Sequence, residues 1–169
     1  MLESFAAWLA GTPLSAFVAN QAWVVPTVQT VHILAVATIM GAVVIVHLRL
    51  LGVVERRQSV GSLAARFVPP SAAAIAILAI TGFLMIAGEP TRAIFRYVFW
   101  VKMGLLVAVI LLTAALLGGL KDIGVTDDAQ RPIPFPYRAL AVLALLIWAG
   151  IIVAGRWIGY AQGWPGSPQ

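Results

Sequence analysis

Residues 23–51 read WVVPTVQTVHILAVATIMGAVVIVHLRLL, and this run decides the fold. A membrane-spanning helix needs about 20 consecutive, mostly apolar residues, and this segment exceeds that. It also holds the only two histidines of the chain, His32 and His47, fifteen residues apart. At about 100° per residue that separation is four turns plus roughly 60°, so both rings leave nearly the same helix face. Along the axis they stand roughly 22 Å apart at ~1.5 Å per residue. One imidazole therefore falls in each half of a hydrocarbon core about 30 Å thick, where ionisable side chains are rare and mark functional sites.

Composition supports the same class. Of 169 residues, 62% are hydrophobic and 10% charged, and the mean hydropathy is +0.99. A soluble domain carries about 25% charged residues, so the chain reads as an integral membrane protein. The formal charge is +5. In so apolar a chain, basic residues set topology or meet anionic lipid heads rather than nucleic acid. The absence of cysteine excludes disulfides, thiol catalysis, cysteine-ligated clusters and covalently attached c-type haem within this chain. Glu3 is the only early charge, so the N-terminus lacks the layout of a cleavable signal. The first span is expected to stay in place as its own insertion signal.

Four apolar runs, about 23–51, 67–88, 93–120 and 136–161, predict a four-helix transmembrane bundle over 23–161, with 162–169 as a tail. Residues 1–22 predict two short interfacial helices, Leu2–Ala10 and Pro13–Asn20, with Thr12 as N-cap and Pro13 at the first helical position. The fold class is thus all-α. Arg49, Arg56, Arg57, Arg66, Lys121, Arg131 and Arg138 flank the first and third connections, against Arg92, Arg96, Lys102 and Arg156 toward the other face. That bias places those connections in the cytoplasm of a bacterial inner membrane, with both termini periplasmic. Trp23, Tyr97, Phe99, Trp100, Trp157, Tyr160 and Trp164 predict an aromatic belt at the outer interface. Gly82 on the second span, and Gly150 and Gly155 on the fourth, suit close helix contact.

Several polar groups sit where apolar ones belong. Gln29, His32, Val36, Met40, Val43 and His47 trace one stripe of the first span. Lys102 and Met103 on the third, Arg156 on the fourth, and Met85 and Glu89 on the second fall at matching outer depths. His32, Gln29, Lys102 and Arg156 can then converge on one site. Competing readings stand beside this one. Lys102 and Arg156 can snorkel to the interface, Glu89 can pair with Arg92 or Arg156, and His47 can be an interfacial residue beside Arg49. His32 can make an interhelical hydrogen bond, and the methionines can be packing residues.

Three chemistries suit the converged site. Haem b can take His32 as an axial ligand, with Lys102 or Arg156 meeting the propionates and His47 defining a second level. A quinone can hydrogen-bond to His32 or Gln29. Copper(I) suits imidazole with thioether sulfur, from His32 with Met40, Met85 or Met103. Two bis-histidine haems need four histidines, so haem ligation calls for a homo-oligomer, another membrane subunit or a methionine ligand. The reading rests on His32 and ranks His47 below it. A cofactor-free structural accessory subunit is the remaining alternative.

Trp23-Val24-Val25-Pro26, Thr30-Val31-His32-Ile33-Leu34, Leu48-Arg49-Leu50-Leu51-Gly52, Phe99-Trp100-Val101-Lys102-Met103-Gly104 and Ala154-Gly155-Arg156-Trp157 together carry a likeness. They resemble an uncharacterised family of small bacterial inner-membrane proteins classed as a domain of unknown function, over nearly the whole chain. More distantly, the layout is similar to membrane proteins of the copper-resistance D type and to four-helix cytochrome b561-like bundles. The resemblance implies a four-helix fold and a metal or electron-transfer role. It marks His32, Arg49, Lys102 and Arg156 as motif residues. Cytochrome b561-like proteins place haem ligands on more than one helix, whereas this chain keeps both histidines on the first.

Overall fold

A computed structural model describes residues 1–55 and 57–160. Arg56, the last residue of the expected fourth span (Ala161), the tail 162–169 and its Trp164 lie outside the described residues. The elements are α1 (Leu2–Ala10), α2 (Pro13–Asn20), α3 (Val24–Leu50), α4 (Val60–Gly88), α5 (Pro90–Ile94), α6 (Tyr97–Asp122) and α7 (Phe135–Trp157). The four long helices α3, α4, α6 and α7 are each long and apolar enough to cross a membrane. The protein is a multi-pass membrane protein of all-helical fold. Leu34, Ile80, Leu111 and Leu146 turn outward with exposures of 62% to 64%, which suits surrounding lipid and no aqueous surface.

The N-terminal hairpin matches its expected bounds. Thr12 Oγ1 accepts from the Ser15 backbone N–H at 3.2 Å, and Pro13 opens α2. Both helices dock on the end of the bundle that carries α5, here the terminal side. Ala6 of α1 packs with Ile94 and Phe95, and α2 lies along α4. Phe5, Trp8, Leu14 and Phe17 remain exposed and form an apolar rim.

α3 pairs with α4 and α6 with α7, and the two hairpins meet along α3 and α7. α4 and α6 do not touch, so the bundle is open on that side. The connections α3–α4 and α6–α7 share the opposite end, the loop side. There α3 and α6 stop in the same way. Gly52 (φ 74°) follows α3 and Gly124 (φ 70°) follows α6, each in the left-handed conformation that a β-carbon disfavours. The Val53 N–H donates to Leu48 O and the Gly52 N–H to Arg49 O. Val125 to Leu120 and Gly124 to Lys121 repeat the pattern, giving two Schellman caps. Leu50, Val60, Leu116, Leu120, Val125, Ile133 and Ala141 close the core beneath them.

Three helix bounds differ from the expected ones. The second span begins at Val60 instead of 67, because Ser59 Oγ accepts from the Ser62 N–H at 3.1 Å and starts the helix early. Pro69 and Pro70 then lie inside α4. They free the carbonyls four residues back, at Ala65 and Arg66, and both residues are exposed near the helix start, where water and headgroups reach them. The third span does not begin at 93. α5 ends at Ile94, Arg96 turns extended, and α6 starts at Tyr97. α7 ends at Trp157, where Arg96 Nη1 donates to Ile158 O and Arg92 Nη2 to Gly159 O at 3.0 Å. Two guanidinium groups so cover the negative end of the helix.

Candidate functional site

His32 lies about eight residues into α3, half-buried, facing α4. It lies against Gly82, where an added β-carbon would stand 3.7 Å from His32 Cε1, an ordinary van der Waals contact. His32 Nδ1 is 2.7 Å from Thr81 Oγ1. The Thr81 hydroxyl has one proton, and it is spent on Ile77 O at 2.6 Å. Thr81 must therefore accept, and His32 Nδ1 must donate. In the neutral ring the lone pair then sits on Nε2, for which no partner exists among the described residues.

Lys102 of α6 reaches the same region from the other hairpin. Its chain lies over Gly155 of α7, with Nζ 3.8 Å from where a β-carbon would stand. It is half-buried, makes no hydrogen bond or ion pair among the described residues, and is close enough to His32 to interact electrostatically. Each of the two polar side chains lies beside a glycine, one on each hairpin.

The other expected members do not join them. Gln29 is exposed, one turn before His32 on α3. Arg156 is exposed on the outer face of α7 and stacks on Tyr160, its guanidinium carbon 5.6 Å from the ring centroid. It lines a surface depression with Ile152, Val153, Trp157 and Tyr160. Glu89 pairs with Arg92 at 2.7 Å. Met40 and Met85 are half-buried, while Met103 turns outward beside Lys102. Among the described residues no group of three histidine, cysteine or acidic side chains could hold a metal.

His47 lies three residues before the end of α3 and is 2% exposed, enclosed by the protein. Its Nδ1 donates to Val43 O at 2.7 Å, since a carbonyl can only accept, and Nε2 is buried with no partner. The partners of both imidazoles suit the Nδ1–H tautomer, which leaves the acceptor lone pair on Nε2, buried in His47. The Trp148 Nε1–H and Thr126 Oγ1 are also buried without partners. Arg49 is 5% exposed, and its fork donates to Gln58 O at 2.9 Å and Ala129 O at 3.1 Å, tying α3 to both loop-side connections.

Thr81 was missing from the sequence reading. The signal was present, for Thr81 is the only hydroxyl between residues 72 and 90.

No curated protein and no solved structure matches the chain, and a likeness to copper-resistance D or cytochrome b561-like proteins is not shown. A family profile described as "Family of unknown function (DUF6644)" matches residues 9–161, which take in α2, all four long helices and only the end of α1, and the chain belongs to that family.

Proposed function

We propose that this protein is a redox subunit of the bacterial inner membrane that binds a quinone or quinol headgroup between His32 and Lys102. One observation carries the reading. An acceptor without a partner, His32 Nε2, and a donor without a partner, the Lys102 amine, sit within electrostatic range inside an apolar bundle. Polar groups at such depth persist when a ligand completes their hydrogen bonds. A quinone carbonyl accepts from Lys102 Nζ, and a quinol hydroxyl donates to His32 Nε2. Quinol oxidation releases two electrons and two protons. His32 Nε2 takes one proton and the other leaves to water at the terminal side. The electrons pass one at a time to a one-electron centre, a haem or iron–sulfur cluster, in an associated subunit. The cation bias puts the loop side in the cytoplasm.

The test is extraction of the protein purified from its own membranes, followed by titration with the tail-less quinone 2,3-dimethoxy-5-methylbenzoquinone. Wild-type protein is expected to yield quinone and to bind the probe. His32→Ala and Lys102→Met should each weaken binding by about tenfold, the scale of one lost hydrogen bond to a charged or buried group. Absence of quinone from the extract, together with absence of titratable binding, overturns the reading.

Haem b is the second reading, favoured by the Nδ1–H tautomer of each histidine, which leaves Nε2 as an acceptor without a partner among the described residues, buried in the case of His47. Histidine from this chain supplies at most one ligand per level, so a second chain would complete each iron. A dithionite-reduced α-band that disappears in His32→Ala or His47→Ala supports it. A spectrum without a Soret band removes it.

A further inference from the structure

We infer that the terminal-side end of α7 binds an anionic phospholipid of the phosphatidylglycerol type, its phosphodiester on Arg156 and one acyl chain over Ile152 and Val153.

A depression of about 440 Å³ lies on the outer face of α7, lined by Ile152, Val153, Arg156, Trp157 and Tyr160. Its groups follow the helix in order, each one turn after the last. Ile152 and Val153 come first and are exposed, Arg156 and Trp157 come next, and Tyr160 lies nearest the terminal side. The Tyr160 N–H donates to Trp157 O at 2.9 Å, a turn that keeps the phenol beside Arg156. The guanidinium carbon stands 5.6 Å from the ring centroid, and Arg156 Nη2 donates to Tyr160 Oη at 3.3 Å. The cation is thereby held at the rim of the depression.

The polar groups of the rim are all donors. The guanidinium spends one N–H on Tyr160 Oη, and its others have no partner among the described residues. Tyr160 accepts that bond, which leaves its own O–H to donate, and Trp157 offers only an indole N–H. Among the described residues the one ion pair joins Arg92 to Glu89, so no carboxylate neutralises Arg156. A held cation among donors complements an anion, and the guanidinium fork suits two phosphate oxygens. The end of a helix ordinarily repels an anion through its last carbonyls. Here Arg96 Nη1 holds Ile158 O and Arg92 Nη2 holds Gly159 O, so cations already cover that end.

A free phosphate would leave Ile152 and Val153 bare, whereas a phospholipid matches the order of apolar stretch, cation and aromatic rim. Tryptophan and tyrosine at this level suit the headgroup region of the bilayer. The five lining residues include no acid to pair a choline or ethanolamine ammonium. A headgroup that is neutral beyond its phosphate, such as glycerol, fits them.

Native mass spectrometry of the full-length protein in detergent, titrated with dioleoyl phosphatidylglycerol and dioleoyl phosphatidylcholine, tests the site. Wild-type protein is expected to hold the first phosphatidylglycerol about tenfold more tightly than phosphatidylcholine. Arg156→Gln should remove that preference, and Arg138→Gln, the same charge change at the loop-side end of α7, should keep it. Val153→Trp fills the depression without touching the cation and should weaken phosphatidylglycerol about tenfold. Thermal melting checks that the variants fold. Equal binding of the two lipids by wild-type protein, or equal loss in both arginine variants, overturns the site. Displacement of the lipid by glycerol 3-phosphate assigns Arg156 to a free phosphate and also overturns it. Disulfide-linked dimers of Val153→Cys in native membranes make this face an interface between copies, with the same consequence.

Discussion

Arg49 donates through Nη2 to the carbonyl of Ala129, eighty residues further along the chain, at 3.1 Å. Through Nε the same guanidinium holds Gln58 O. One side chain at the end of α3 therefore joins both loop-side connections. Only a planar fork reaches two carbonyls in fixed directions. Arg49→Lys should lose one of these bonds and Arg49→Ala both, leaving carbonyls unpaired. The expected loss is about 2 kcal/mol for lysine and about 4 kcal/mol for alanine. Thermal unfolding in detergent measures it. A melting temperature unchanged in Arg49→Ala would remove Arg49 as the joint of the loop side.

Thr81→Val keeps the shape of the side chain and deletes the acceptor of His32 Nδ1–H. Stability should fall by about 1 kcal/mol. The sharper readout is the tautomer. In protein labelled with ¹⁵N-histidine, wild-type His32 should give the shift pattern of a neutral Nδ1–H ring, and Thr81→Val should mix in the Nε2–H form. Thr81→Ser should restore the wild-type pattern.

A β-carbon on Gly88 would stand 2.8 Å from Val18 Cγ1, where the N-terminal hairpin crosses the end of α4. Valine has little rotamer freedom with which to withdraw. Gly88→Val should therefore lift α2 from the bundle at a cost of about 1–3 kcal/mol. Faster amide exchange across Pro13–Asn20, with α6 and α7 unaffected, is the expected signature.

The absence of cysteine permits a direct test of topology. Val53→Cys and Asp127→Cys report the loop side, and Thr91→Cys reports the terminal side. A membrane-impermeant maleimide added to intact cells should label Thr91→Cys alone. Labelling of the two loop-side positions instead would reverse the orientation.

Much of the fold was legible because its signals are local. The Thr12 cap, the proline after it and the uninterrupted apolar runs specify α1, α2 and the four spans without tertiary information. Two breaks were not legible. The Ser59 cap starts α4 at Val60, ahead of the apolar run that begins at 67, and the helix passes through Pro69-Pro70. The stop at Phe95 and Arg96 depends on the carbonyls of α7, sixty residues away. The faces of the helices were the least legible feature. In a membrane both the core and the lipid side are apolar, so periodicity does not separate them. By depth Gln29 and Arg156 match His32 and Lys102, yet both are exposed, while His32 and Lys102 are half-buried and His47 is buried.

The covering of the α7 terminus by Arg92 and Arg96 has a temporal side. Both arginines leave the ribosome before any residue of α7, and α3 with its partner α4 is complete earlier still. The last span is thus born into a membrane where its companion surface on α3 and its end stops already stand. Biogenesis can proceed hairpin by hairpin, with the fourth crossing arrested at a length that earlier residues have measured out.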